Sequence, residues 1–139
     1  MSQPPVSILR LNLLRAMYLF MAFGLGMTIW PEIISFSWGV ADTDSVVYAM
    51  LGALGLLCLL GLLYPLKMLP LLIFELAWKL IWVLGFALRM HLDAGLDEYA
   101  TETLAACLLG IILVPLVIPW GYFFSHYIKA PVEPWRRSA

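Results

Sequence analysis

The chain divides into four long apolar runs separated by short polar or proline-marked stretches. The runs cover about 8–30, 45–64, 71–90 and 103–124. Each has close to the roughly 20 apolar residues that a helix needs to cross the hydrocarbon core of a bilayer. The expected fold is therefore all-α: a four-helix transmembrane bundle forming a single integral membrane domain over residues 1–139. The first run extends well past the length of a signal-peptide core, and no small-residue cleavage site precedes a polar start. It reads as a retained span.

The stretches between the runs carry recognisable boundary chemistry. "WPEIISFSWGVADTD" contains Pro31, Glu32, Asp42 and Asp44, and its "DTDS" end is suited to capping the second helix. "YPLKMLP" predicts a tight, proline-bounded hairpin around Lys67. "RMHLDAGLDEYATE" is an acidic loop in which Asp97 or Thr101 can cap the fourth helix. That last helix contains Pro115 and Pro119 in "GIILVPLVIPW". Each proline removes an intrahelical hydrogen bond and crowds the preceding turn, so a kink is expected there. Such a kink either bends a span around its neighbours, the commoner case, or opens a binding site as in the broken helices of transporters.

Composition supports a membrane environment and removes several function classes. Of 139 residues, 63% are hydrophobic and 12% charged, against about 25% charged in soluble chains; mean hydropathy is +0.94. The formal net charge of −1 and the absence of a basic stripe argue against nucleic acid as a partner. Membrane lipids, a second copy of the chain or another membrane protein are the partners to expect. Basic residues set the orientation. Arg10, Arg15, Lys67, Lys129, Arg136 and Arg137 fall on the side of the two termini, and only Arg89 on the other. The bias predicts cytoplasmic N and C termini.

Small residues predict close helix packing: Ala49, Gly52, Ala53, Gly55 and Gly61 on the second helix, Ala22 and Gly26 on the first. Cys58 and Cys107 fall near opposite membrane faces, too far apart for a disulfide. His91, Asp93, Asp97 and Glu98 match no standard metal-ligand spacing and read as a solvated acidic loop. His126, at a helix C-terminal end, has no opposed histidine at its depth to form a haem site, since His91 lies on the other side. Trp120, Tyr122, Tyr127 and Trp135 read as interfacial anchors. No catalytic triad, phosphate loop or HExxH motif is present, so no catalytic residue, metal or cofactor is assigned.

One stretch stands apart. "FELAWKLIW" places Glu75 and Lys79 one turn apart within the third run, flanked by Trp78 and Trp82. With a helix starting near Pro70, a rise of about 1.5 Å per residue puts Glu75 roughly 7 Å and Lys79 roughly 13 Å deep. Glu before Lys at this spacing is the favourable order for an intrahelical pair, and the tryptophans offer a cation–π surface. The pair should face the bundle interior, with Phe86 and Arg89 continuing its stripe. Asn12 and Arg15 come at a similar depth on the first helix, so Asn12, Arg15, Glu75, Trp78, Lys79 and Trp82 form the candidate ligand-binding set. A cluster of formal charge +1 would suit an anionic headgroup or a polar ring edge. Equally, such a network can serve only to set helix register and topology, and its shallow depth and built-in partner favour that role.

At "LYPLKMLPLLIFELAWKLIW" and "LVPLVIPW" the chain resembles small uncharacterised bacterial membrane proteins, and its length and four spans with internal termini resemble the DoxX-like families. The resemblance implies a bacterial inner-membrane four-helix bundle. Three functions compete. The first is an accessory or interaction protein of that membrane. The second is a small transporter or lipid- or anion-binding protein using Glu75, Lys79 and Arg15. Small multidrug transporters place their carboxylate in the first helix without an adjacent lysine, which disfavours a cationic cargo. The third is an enzyme acting on a lipid or quinone with Glu75 as acid/base, for which no second catalytic group is evident.

Overall fold

The computed structural model describes residues 6–36, 39 and 42–136; Arg137, counted above for orientation, lies outside the described residues. The chain forms α1 (Ile8–Thr28), α2 (Trp30–Ile34), α3 (Thr43–Leu63), α4 (Leu69–Trp82), a π-helical stretch Val83–Ala87, α5 (Leu88–Leu92), α6 (Glu98–Val117), α7 (Trp120–Phe123) and a second π-helical stretch Phe124–Ile128. Among the described residues, four helical segments are long and apolar enough to cross a membrane: Ile8–Ile34, Thr43–Leu63, Leu69–Leu92 and Glu98–Val117. The architecture is the expected all-α bundle.

Local chemistry explains most of the boundaries. The side chains of Ser7, Asp42 and Asp97 each accept a hydrogen bond from a backbone N–H three residues on, at 3.2, 2.9 and 2.8 Å. They satisfy donors that the first turn of a helix otherwise leaves open. Pro70 sits in the first turn of α4, where its missing N–H costs nothing. After α5, Gly95 adopts φ +92°, a conformation natural to glycine, and its N–H reaches the Met90 carbonyl at 2.8 Å.

Three boundaries differ from the expectation. The first span continues through Pro31 to Ile34, because a proline in the first turn of α2 fits helical φ. The fourth helix does more than kink. Pro115 is accommodated inside α6, but Ile118, which precedes Pro119, is extended (ψ 126°), so the helix ends at Val117 and restarts at Trp120. In the third span, the π-helical stretch inserts an extra residue into the turn and rotates the rest of the span about its axis. Ala87 is consequently the buried position, while Phe86 and Arg89 point outward, so the stripe from Glu75 does not continue through them.

The bundle consists of two helical hairpins. α1 packs along α3, and α4 along α6; the contacts that join the pairs, α1 with α6 and α3 with α4, are sparser. Gly52, Gly55 and Gly61 of α3 are buried against the first span, whereas Ala49 and Ala53 face outward. A Cβ at Gly61 would stand 2.6 Å from the Tyr18 ring, and one at Gly52 would stand 2.9 Å from Ile33. The core gathers Leu14, Met17, Tyr18, Leu54, Leu69, Leu72, Val114 and Ile118 at the end of the bundle that carries both termini.

Two arginines of α1 close that end. Arg15 Nε donates to the Leu62 carbonyl at 3.0 Å, and Arg10 Nη1 to the Leu116 carbonyl at 2.7 Å. These are among the last carbonyls of α3 and α6, where helix geometry leaves acceptors unpaired and the helix dipole favours a cation. Tyr18 donates to Pro65 and Tyr127 to Leu66, tying the first span and the C-terminal segment to the hairpin turn. Burial, then the neighbouring Tyr122, push the Tyr127 phenol up, which keeps it a donor. Trp120 Nε1 donates to the Pro115 carbonyl at 2.9 Å, which holds the restarted helix against the end of α6.

Candidate functional site

Glu75 is the buried charged residue among the described residues, 5% exposed. It lies about 9 Å along α4 from Leu69, with Lys79 about 15 Å along. Its Oε1 stands 2.5 Å from Lys79 Nζ, and its Oε2 accepts the Trp78 indole N–H at 2.8 Å. The ammonium also lies 5.4 Å from the centre of the Trp78 ring. An isolated charge near mid-helix costs about 2.5–3.5 kcal/mol on insertion scales, and this clasp of three side chains on one helix face offsets much of it.

The fourth span completes the site with an absence of side chain. A Cβ at Gly110 would stand 2.5 Å from Lys79 Nζ and 2.9 Å from its Cδ. The missing side chain at Gly110 is what lets the lysine lie where it does between α4 and α6. Sequence reasoning missed Gly110. The signal was weak: a glycine inside an apolar helix costs about 1 kcal/mol relative to alanine and can mark a close approach, but Gly24 and Gly26 have nothing against them.

Two cavities flank the pair, both at the seams between the hairpins. One of about 200 Å³ lies among α1, α4 and α6 and is lined by Met17, Met21, Gly24, Glu75, Lys79 and Gly110, with Phe20 and Leu109 at its edge. Phe20 and Leu109 are 56% and 49% exposed on the apolar outer surface, so the cavity opens sideways between the first and fourth spans. The other, of about 460 Å³, is lined by Asp44, Leu51, Phe74, Trp78, Trp82 and Tyr99 on the seam of α3 and α4. Trp78 thus lines one cavity with its ring while its N–H serves the carboxylate facing the other.

The six residues singled out from the sequence are therefore distributed over three places. Glu75 and Lys79 face the smaller cavity, and Trp78 and Trp82 line the larger one. Asn12 and Arg15 are at the termini end, where Asn12 Oδ1 accepts from Arg15 Nη1 at 3.2 Å while Arg15 caps α3. Neither lines the cavity that holds the ion pair, so that cavity carries a neutral pair rather than a +1 cluster. The capping role of Arg10 and Arg15 was also missed. It was inferable: α3 ends in "GLLYP" and α6 in "VPLVIP", without a C-terminal glycine to satisfy their last carbonyls.

Among the described residues, no three His, Cys, Asp or Glu side chains gather where a metal could sit. Cys58 and Cys107 are both buried free thiols. No protein-family model, curated protein or solved structure matches the chain.

Proposed function

We propose that this chain is an accessory or interaction protein of the bacterial inner membrane, anchored by four spans with both termini in the cytoplasm. The observation that carries this reading is the internal use of its membrane charges. Glu75 is closed by Lys79 and Trp78, and Arg10 and Arg15 donate to helix-end carbonyls. Such pairing suits a scaffold whose polar groups hold helix register, leaving the outer apolar faces for lipid and partner helices. The excess of basic residues at the termini end supports the orientation, and the DoxX-like resemblance supports the bacterial inner membrane.

The test has two parts. A photoreactive amino acid placed at outward positions such as Phe23, Leu59, Ile81 and Leu116 should, in living cells, give one dominant protein adduct from a contiguous face. Labelling by lipid alone at all four positions rejects the interaction role. A C-terminal fluorescent-protein fusion should glow and a C-terminal alkaline phosphatase fusion should be inactive; the converse rejects the orientation.

A second reading, a lipid-binding protein, is favoured by the sideways opening of the 200 Å³ cavity over the Glu75–Lys79 pair. With Arg15 engaged at Leu62, the pair is electrically neutral, which moves the suitable ligand away from the anion expected of a three-residue cluster.

A further inference from the structure

The cavity between α1, α4 and α6 has a polar floor and apolar walls. Met17, Phe20, Met21, Leu25, Leu109 and Leu113 supply the walls, and the floor is the ion pair. The two parts of the floor are not equivalent. Both Glu75 oxygens already have a partner, Lys79 and Trp78. An ammonium carries three donors, and Lys79 makes one ion-pair contact among the described residues. The ammonium therefore has donors left for a guest, while each Glu75 oxygen keeps a lone pair beyond its present partner.

Charge and depth narrow the ligand further. Adding an anion to a neutral pair leaves a net charge in a low-dielectric site, which is costly; an uncharged acceptor avoids that cost. Gly110 lies seven residues before the end of α6, about 10 Å along the helix, and Lys79 is deeper than the first two turns of α4. Phosphate headgroups lie outside the hydrocarbon core, so the acceptor must be carried within an apolar body. A volume of about 200 Å³ takes only part of a lipid-sized molecule, the remainder lying between the first and fourth spans in the membrane. Two methionines on the α1 wall can adapt to such a guest.

We infer that this cavity is a lateral binding site for an uncharged, lipid-like molecule whose carbonyl oxygen accepts a hydrogen bond from the Lys79 ammonium. The inference rests on the lipid-binding reading above and specifies its ligand class.

The protein in dodecyl maltoside, a detergent without a carbonyl group, is photolabelled with three diazirine probes of equal length: a long-chain dialkyl ketone, the matching alkane and a fatty acid. The ketone should label residues 17–25 and 106–113 about tenfold more than the alkane, the factor that one hydrogen bond to a charged donor supplies. The Glu75→Gln/Lys79→Met double variant, which replaces the charged donor by a neutral carboxamide, should cut the ketone preference severalfold. Gly24→Leu should abolish labelling by both while leaving the pair intact, since no atom lies within 4 Å of where a Cβ at Gly24 would stand. Equal labelling by ketone and alkane overturns the carbonyl inference and leaves the lipid site standing. Preference for the fatty acid overturns the uncharged ligand. Absence of labelling in both segments by every probe removes the lipid site as well.

Discussion

The two helical hairpins solve the same packing problem with opposite chemistry. In the first hairpin, glycines of α3 receive apolar groups of the first span: Gly61 receives the rigid Tyr18 ring of α1, and Gly52 receives Ile33 and Trp30 of α2. In the α4–α6 pair, Gly110 receives the flexible, charged end of Lys79. Both devices bring helices close without a hydrophobic driving force, which lipid does not supply between helices. Their tolerances differ. A ring buried at 0% exposure has nowhere to move, whereas a lysine beside an open cavity can shift. The first hairpin is thus built for fixed geometry, and the second keeps a polar group adjustable at the seam.

Substitutions can break this comparison, with stability read from SDS-titrated unfolding in mixed micelles by circular dichroism. The largest effect should come from Lys79→Met, which strands the Glu75 carboxylate; loss of one partner of a buried pair costs about 3–5 kcal/mol. The Glu75→Gln/Lys79→Met double variant should recover most of that loss, because Gln still accepts from Trp78; no recovery would mean that the two residues do not act as a unit. Gly61→Ala comes next, with about 1–3 kcal/mol of overpacking against Tyr18. An unchanged unfolding midpoint there would contradict the rigid character of the first hairpin.

Gly110→Ala should cost less than Gly61→Ala, under about 1 kcal/mol, as the lysine end moves aside. A larger loss than for Gly61→Ala would reverse the contrast between the hairpins. The smallest change belongs to Gly24→Ala. Nothing occupies the space its methyl would enter, so relief of the glycine penalty should stabilise by about 0.5–1 kcal/mol. A destabilisation would show that α1 and α6 close together at the cavity mouth.

Local features of the bundle were legible one residue at a time. Asp42 and Asp97 cap α3 and α6 as their short polar side chains before apolar runs foretell. Glu75 and Lys79 pair as their spacing and order foretell, and Trp78 lies close enough for its ring to face the ammonium. The placement of Arg15 was not legible. Its depth matches that of Glu75, but depth along a membrane normal says nothing about which neighbour stands across from it. The Leu62 carbonyl competes for the guanidinium, and a helix end with unpaired acceptors is the stronger claim. The π-helical turn at Val83–Ala87 was equally hidden, and the buried position there is Ala87 rather than Phe86.

Residues within one or two turns of each other were enough to foretell four spans, the caps of α3 and α6, a distortion at Pro115 and Pro119 and the internal ion pair. Tertiary structure decided which helices pair closely, that Gly110 makes room for Lys79, and that Arg10 and Arg15 close helix ends rather than the Glu75 site. It also decided that Trp78 separates two cavities. The reason is rotational. In an apolar solvent every face of a helix can be apolar, so hydropathy fixes depth but leaves each helix free to turn about its axis, and only side-chain packing and hydrogen bonding between helices choose the angle.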